Sequence, residues 1–215
     1  MSEKAYTISE MKEKDYSEKI RERVSKLRDG ELVVMVDFAD IAPNNTVNKI
    51  VTRLVDENLL RPIIRGVYQK PLMNSFLGEP IEPTGEALAL AIARKNGWTI
   101  CPNGDTALNL LGLSTQVPAN WSFLSNGPYK VYKFSGGEIR FSHTANRLLE
   151  SLSKDSVFLV QALRALGEES TDEETLMRLS HNISPERINL IEAETRNVPD
   201  WIRSKIAKLK EIKNA

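Results

Sequence analysis

A short stretch in the first third of the chain combines an amphipathic helix with two strands. Apolar residues recur at positions i, i+3, i+4, i+7 and i+8, which predicts a helix over about Thr46 to Asn58. Its buried face comprises Val47, Ile50, Val51, Leu54 and Val55. The next residues, LLRPIIRGVYQKP, predict two strands with a turn at Arg65-Gly66. The stretch therefore reads as a polar-tipped helix followed by a tight two-stranded ribbon.

The residues before this stretch complete an order of elements. A helix is predicted over Tyr16 to Leu27, ELVVMV predicts a strand, and DFADI predicts one or two helical turns with Asp37 as the N-cap. The order helix, strand, helix, helix, strand, strand is that of a winged helix-turn-helix, whose second paired helix can enter a major groove. We assign this fold to residues 16–71, after a flexible tail at 1–15. A small α+β packing or protein-interaction module is the alternative.

The remainder of the chain predicts a second domain. Residues 72–83 are rich in Pro and Gly and indicate a linker. From residue 84 to 215 the pattern predicts a helix, the strand WTICP, the helix GDTALNLLGL, and strands with turns at Asn126-Gly127 and Gly136-Gly137. From Arg147 onward the pattern is helical. The predicted fold class is α+β, with a mixed α/β C-terminal domain that ends in a helical tail.

Composition excludes several classes of protein. Apolar residues make up 41% of the chain, which is enough for packed cores. No apolar run approaches the ~20 residues that span a bilayer, and the N-terminus lacks a signal-peptide pattern. The single cysteine, Cys101, excludes an internal disulfide. We therefore expect a cytoplasmic protein without membrane contacts. The net charge of zero argues against a protein coated in nucleic acid, but it allows a local basic face.

The face of the predicted helix opposite its apolar stripe carries residue types that contact DNA. Asn pairs with adenine, Arg or Lys pairs with guanine, and Thr contacts a thymine methyl or a phosphate. Any solvated helix face is polar, but no acidic residue occurs from Asn44 to Arg53. The hairpin adds further basic residues. The predicted DNA interface comprises Asn45, Thr46, Asn48, Lys49, Thr52, Arg53, Arg61, Arg65 and Lys70.

Catalytic and metal-binding interpretations are weaker. Cys101 could pair with His143 as nucleophile and base, but a buried thiol in a strand is the simpler interpretation. The set Asp105, Glu138 and Arg140 is similar to the active site of a metal-dependent nuclease. Such active sites usually have Lys at the position of Arg140. The chain lacks a phosphate-binding loop, and its Cys and His residues are too scattered for zinc. The sequence therefore predicts no enzyme, no metal and no cofactor.

The final helical segment is strongly basic. It contains Arg203, Lys205, Lys208, Lys210 and Lys213. These residues, with Lys130 and Lys133 on a predicted hairpin, could add to DNA affinity. The alternative is a solvated amphipathic end that packs inward through Trp201, Ile202, Ile206 and Leu209.

Several segments together resemble one protein family. They are RLVDENLLRPIIRGVYQKP, ALAIARKNGWTICPNGDTALNLLGLSTQVPANWSFLSNGP, IRFSHT and QALRALG. The similarity covers about residues 16 to 170, and GLSTQVP with LSNGP is its most specific part. On these segments the chain resembles the AbiEi-like antitoxins of type IV toxin–antitoxin systems, including a branch of DUF6088 proteins.

This resemblance implies a function. It implies an N-terminal winged helix that represses its own operon by binding double-stranded operator DNA with inverted repeats. It also implies a C-terminal domain that counteracts a nucleotidyltransferase-type toxin without a stable complex. Residues from about 84 onward would then neutralise the toxin, while 16–71 would suffice for the DNA-binding fold. Two alternatives stay open: a winged-helix regulator whose second domain senses a ligand or protein, and a nuclease.

Overall fold

The computed structural model describes residues 8–114, 119–144 and 152–214, with side chains from residue 12 onward. Its contacts divide the chain into two compact units. The first ends at Gly97 and includes Phe134–Gly136, and the second contains the remaining residues. Both units combine helices with a small sheet, so the predicted α+β class is confirmed. Over the described ranges, no helix has the length and apolar character needed to cross a membrane.

The first unit alternates helices with short antiparallel strands. Its sheet has the order β1-β3-β2, in which Leu32 lies opposite Gln69 and Ile64 lies opposite Val67. The elements are α1 (Ile8–Ser25), β1 (Leu32–Val34), a 3-10 turn (Met35–Phe38), α2 (Asn44–Asp56), β2 (Arg61–Ile64), β3 (Val67–Gln69) and α3 (Gly85–Asn96).

The apolar stripe of α2 forms the centre of the first unit's core. Val47, Ile50, Val51 and Leu54 are buried, as predicted, and Val55 is half-buried against them. Ile20 and Val24 of α1 and Phe38 of the 3-10 turn complete this cluster. The predicted hairpin turn at Arg65-Gly66 is confirmed: Gly66 has φ +77°, a left-handed conformation that favours glycine. The polar face of α2 therefore points away from a fixed core.

Two local predictions at the start of the chain are wrong. The tail expected at 1–15 is helical over its described part, because α1 begins at Ile8, and Glu13 ties this part of α1 to Arg53 of α2 at 2.9 Å. Asp37 is not an N-cap. It occupies the third position of the 3-10 turn, where its carboxylate accepts the N–H of Val34 at 2.9 Å. The rest of the predicted tail, residues 1–7, lies outside the described residues.

The division between the units differs from the predicted linker at 72–83. Helix α3 belongs to the first unit, because Arg94 donates to the Leu32 carbonyl at 2.9 Å and pairs with Asp37 at 3.2 Å. Residues 72–82 form a closed loop rather than an extended linker. Met73 and Pro80 make an antiparallel bridge, and the Ile81 N–H donates to the Leu72 carbonyl at 2.7 Å.

The second unit begins with a four-stranded sheet of order β4-β5-β7-β6. Its elements are β4 (Ile100–Pro102), α4 (Asp105–Leu110), β5 (Asn120–Ser125), β6 (Lys130–Phe134), β7 (Gly137–His143), α5 (Lys154–Leu166), α6 (Glu173–Asn182), α7 (Pro185–Glu194), a 3-10 turn (Thr195–Asn197) and α8 (Asp200–Asn214). The strands β5 and β7 pair in parallel, with Asn120 opposite Glu138 and Ser125 opposite His143.

The predicted turns in this unit have different roles. Gly136-Gly137 lies where β6 passes directly into its neighbour β7, as expected for a hairpin. Asn126-Gly127 does not join paired strands, because β7 rather than β6 lies beside β5. Instead, the Asn126 side chain accepts the Thr99 N–H at 2.9 Å, and Gly127 lies against the Trp98 ring.

The four C-terminal helices pack around their own apolar core. This core includes Leu159 and Leu163 of α5 and Leu176 and Leu179 of α6. The inward packing predicted for Ile202, Ile206 and Leu209 is confirmed, with Trp201 partly buried beside them. Residues 145–151, which contain the predicted start of the helical region, lie outside the described residues.

Candidate nucleic-acid interface

The exposed face of α2 carries five polar residues at helical spacing. Asn45, Asn48, Lys49, Thr52 and Arg53 follow the positions i, i+3, i+4, i+7 and i+8, and all are exposed. Thr46 is half-buried at the edge of this face. We call the five residues the α2 polar face. Because the opposite stripe is fixed in the core, the face presents a continuous polar strip of about two turns.

The N-terminal end of the α2 polar face is suited to anions. Pro43 is the N-cap and offers no side-chain acceptor, and the first turn contains no acidic residue. The N–H groups of Thr46 and Val47 donate to the Pro43 carbonyl at 2.9 and 3.0 Å. The earlier N–H groups of the helix therefore remain available at its positive end, which favours phosphate.

The C-terminal end of the α2 polar face is engaged within the protein. Arg53 pairs with Glu13 of α1 at 2.9 Å, and Thr52 donates its hydroxyl to the Asn48 carbonyl at 2.9 Å. In the part of the chain that the structure describes, Asn45 and Lys49 have no hydrogen-bonding or ionic side-chain partner, and neither does the Asn48 amide. The residues most available to a ligand therefore lie in the first half of α2.

The hairpin turn carries two cations, of which the sequence analysis identified one. Arg65 is exposed at the turn, and the Lys95 ammonium at the end of α3 donates to the Arg65 carbonyl. Burial and the neighbouring Arg65 guanidinium lower the pKa of Lys95. An anionic ligand bound at this turn would relieve the repulsion between the two cations. Lys95 was missed because it lies 30 residues from Arg65, and in sequence it reads as a helix-terminal lysine.

Two residues of the predicted interface have structural roles instead. Arg61 donates to the Gln69 side chain at 2.8 Å, to Glu82 at 2.9 Å and to the Ile81 carbonyl at 2.9 Å. Lys70 donates to the Leu27 carbonyl at 2.7 Å, and it thereby provides a hydrogen-bond donor for a backbone carbonyl just after α1. These bonds use the donors that a phosphate would need, so we remove Arg61 and Lys70 from the candidate interface.

Residues 19–191 match DUF6088, which is described as a family of unknown function. The chain belongs to the DUF6088 family. The match runs from the middle of α1 into α7 and thus includes the α2 polar face and the hairpin turn. A search of curated protein sequences found no match to this chain.

The DUF6088 description names no activity, so antitoxin function stays a prediction. The motif GLSTQVP, which carried much of the resemblance to AbiEi-like antitoxins, is only partly described, because residues 115–118 lie outside the described ranges. Its partner segment LSNGP ends β5 and contains the turn at Asn126-Gly127. The match extends to residue 191, beyond residue 170, where the resemblance to AbiEi-like antitoxins ends.

The catalytic candidates of this DUF6088 chain are engaged in local structure. Cys101 is buried in β4, and burial raises the pKa of its thiol to about 12, which disfavours the nucleophilic thiolate. The His143 ring bonds to the Gly127 carbonyl at 2.9 Å, and Glu138 pairs with Arg140 at 2.5 Å. Across the described ranges, no group of His, Cys, Asp or Glu residues is arranged to hold a metal ion.

The basic residues of α8 are likewise partnered. Lys210 pairs with Glu192 at 2.7 Å, Lys208 lies 3.4 Å from Glu173, and Lys205 donates to the Thr171 carbonyl at 2.5 Å. Arg203 pairs with Asp200, and Lys213 donates to the Ser180 carbonyl at 2.8 Å. These contacts connect α8 to its neighbouring helices and favour the interpretation of a solvated, packed end.

Proposed function

We propose that this DUF6088 protein binds double-stranded DNA through a winged helix-turn-helix and represses its own operator. The observation that carries this proposal is the exposed, acid-free α2 polar face, whose first half has no described side-chain partner. The element order α1-β1-turn-α2-β2-β3 and the sheet order β1-β3-β2 support it, because they agree with the plan of a winged helix.

In this proposal α2 is the recognition helix. Its N-terminal half enters the major groove, where the amides of Asn45 and Asn48 can pair with adenine and Lys49 can donate to guanine. The helix N-terminus faces a backbone phosphate. Arg65 and Lys95 contact a flanking phosphate at the hairpin turn, where direct base readout is hard to achieve from so short a loop.

A second function is proposed from the resemblance to AbiEi-like antitoxins. The second unit would counteract a nucleotidyltransferase-type toxin encoded beside this protein, without forming a stable complex with it. The segment GLSTQVPANWSFLSNGP supports this role, since it is the most specific part of the resemblance and its described part includes β5. The α2 polar face would then control expression, and the second unit would control toxicity.

The test of DNA binding compares operator and scrambled DNA in gel shifts. Replacing Asn48 with Ala should weaken operator binding by about 1–3 kcal/mol and leave binding to scrambled DNA nearly unchanged. The matched control is Asn189→Ala, which removes an exposed helical Asn from α7. Equal losses on both DNAs would reassign Asn48 to phosphate contact, and the absence of a preference for operator DNA in the wild type would refute the proposal.

The test of antitoxin function keeps the full chain and separates the two roles. A triple variant, Asn45→Ala, Asn48→Ala and Lys49→Ala, is co-expressed with the adjacent nucleotidyltransferase-type gene from a constitutive promoter. Growth should be rescued as well as by the wild type, because expression no longer depends on the operator. Loss of rescue by this variant, with normal protein levels, would contradict the proposed division of roles.

A further inference from the structure

A closed loop between β3 and α3 presents an apolar tip. The Asn74 carboxamide oxygen accepts the N–H groups of Phe76 and Leu77 at 2.9 and 3.1 Å, and Gly78 donates to the Asn74 carbonyl at 2.9 Å. The Phe76 residue is 98% exposed and Leu77 is 71% exposed. We call these two side chains the apolar tip. The loop is thus ordered by its own hydrogen bonds while its largest side chains face solvent.

The base of this loop is anchored to the sheet. Arg61 of β2 donates to the Ile81 carbonyl at 2.9 Å and pairs with Glu82 at 2.9 Å. Ordering a loop costs conformational entropy, and exposing Phe and Leu gains nothing in the isolated unit. Exposed apolar side chains on an ordered loop, with an aromatic ring among them, are typical of an interaction surface.

Local charge identifies the kind of partner that suits the apolar tip. The segment from Pro71 to Pro83 contains two acids, Glu79 and Glu82, and no base. Glu82 is paired with Arg61, whereas Glu79 is exposed and has no ion pair within the described ranges. The acidic loop that carries the apolar tip disfavours contact with nucleic acid and suits a protein surface with an apolar floor and an accessible basic side chain at its rim.

The same unit contains such a surface. A hollow of about 440 Å³ lies between the chain at Gly30 and helix α3, with Leu32, Ala87 and the exposed Leu90 as apolar lining. We call it the α3 pocket. Arg28 and Arg94 line it beside the acids Asp29 and Glu31, so the four charges balance. Arg28 has a side chain that is 92% exposed and pairs with Glu31 at 3.9 Å, a weak surface contact that a carboxylate of a partner can replace.

The apolar tip and the α3 pocket border one another. Gly30, which lines the pocket, lies against Leu72 at the base of the loop, where a β-carbon on Gly30 would come within 3.1 Å of the Leu72 side chain. The Gly30 N–H also donates to the Lys70 carbonyl at 2.8 Å. A projection beside a complementary recess on one surface permits a twofold contact, because each copy then supplies both halves of it.

We propose that the protein forms a twofold dimer in which Phe76 and Leu77 of each copy insert into the α3 pocket of the other. Glu79 then lies at the pocket rim and pairs with Arg28 of the second copy. This inference is independent of DNA binding. It would nevertheless give a DNA-binding protein the symmetry that inverted repeats require.

The experiment measures the mass of the full-length protein by analytical ultracentrifugation over a concentration series. The wild type should dimerise, and Phe76→Ser should weaken dimerisation at least tenfold. Because Phe76 is exposed in the single chain, the variant should keep the wild-type circular dichroism spectrum, and the two proteins should share one melting temperature at a concentration low enough for both to be monomeric. Met177→Ser, which alters an exposed apolar side chain of α6, is the matched control and should dimerise normally.

A charge exchange tests the assigned partner surface. Glu79→Arg and Arg28→Glu should each weaken dimerisation, and the double variant should recover most of the loss. A wild type that stays monomeric throughout the series would overturn the proposal, as would a Phe76→Ser dimer of normal affinity. Failure of the double variant to recover would overturn the assignment of the α3 pocket as the recess.

A photoreactive phenylalanine at position 76 identifies the occupant directly. Irradiation of mixed light- and heavy-isotope protein should join Phe76 peptides of one copy to peptides from 28–32 or 85–94 of the other. Adducts confined to a single copy, or formed with another protein in place of a second copy, would refute the dimer.

Discussion

Arg61 and Arg65 lie four residues apart in the same hairpin, and the structure assigns them opposite roles. Arg61 bonds Gln69, Glu82 and Ile81, whereas the guanidinium of Arg65 is exposed at the turn. We therefore predict that Arg61→Ala lowers stability and leaves the salt dependence of DNA binding unchanged. Arg65→Ala should do the reverse. The sequence alone predicted that both residues contact DNA.

The size of the Arg61 effect follows from its three bonds. Gln69 is 1% exposed, so losing the donor to its side-chain oxygen leaves a buried acceptor, which costs about 1–3 kcal/mol. The ion pair with Glu82 is partly exposed on both sides and contributes about 0–1 kcal/mol. Water can replace Arg61 at the exposed Ile81 carbonyl. The free energy of unfolding should thus fall by about 1–4 kcal/mol.

The stability assay must report on the first unit. Trp98, Trp121 and Trp201 all lie in the second unit, so tryptophan fluorescence would follow the wrong part of the chain. Urea unfolding should instead be followed by hydrogen exchange at the β2 and β3 amides, and DNA binding by gel shift over a salt series. If Arg61→Ala flattens the salt dependence of DNA binding while its hydrogen-exchange protection stays normal, the structural role assigned to Arg61 is refuted. Arg65→Ala serves as the internal control.

Two other predictions concern carboxylates. Glu13→Gln should raise DNA affinity a few-fold at low salt, because it releases Arg53 and removes a negative charge beside the α2 polar face; Glu18→Gln on α1 is the control, and gel shifts would measure both. Burial opposes ionisation of Glu194, but hydrogen bonds from Ser156 and Ser153 outweigh it and lower its pKa. The resulting stabilisation is complete above the unfolded-state value of about 4.3 and is lost as pH falls through the lower folded pKa. Urea unfolding should therefore show the advantage of the wild type over Glu194→Gln shrinking below that pH.

Local patterns in the sequence predicted the parts of the fold that depend on near neighbours. The spacing of Val47, Ile50, Val51 and Leu54 gave the buried face of α2, because a helix brings residues three and four apart to the same side. Gly66 indicated the position of the hairpin turn, because glycine readily adopts the positive φ that this turn requires. The α2 polar face followed from the same periodicity, because fixing one side of a helix also fixes the other.

Contacts between distant residues could not be predicted in this way. Strand β5 pairs in parallel with β7, and β6 lies on the far side of β7. A hairpin of β5 with β6, its neighbour in sequence, would have been the simpler arrangement. Lys70 reads as a wing lysine until the end of α1 is brought beside it. Nothing near Lys95 in the sequence indicates its contact with Arg65, because the two residues are 30 positions apart and come together only in the folded unit.

The pairing of charges, rather than their number, limits the strength of the proposed DNA contact. The five basic residues of α8 all have intramolecular partners, and so do Arg53, Arg61 and Lys70. At the proposed interface, Lys49, Arg65 and Lys95 are the cations without a carboxylate partner within the described ranges, whereas Arg53, Arg61 and Lys70 each pair with one. Lys95 is bonded to the Arg65 carbonyl, which leaves its charge uncompensated. With about 0.9 counterions released per contact, the slope of log K against log salt should be about −3 for each protomer. A slope near −7 would require the five cations of α8 to join the interface and would refute this assignment of the cations. A slope of about −2 in Lys95→Gln, with Lys130→Gln unchanged from the wild type, would confirm the contribution of α3 to the hairpin turn.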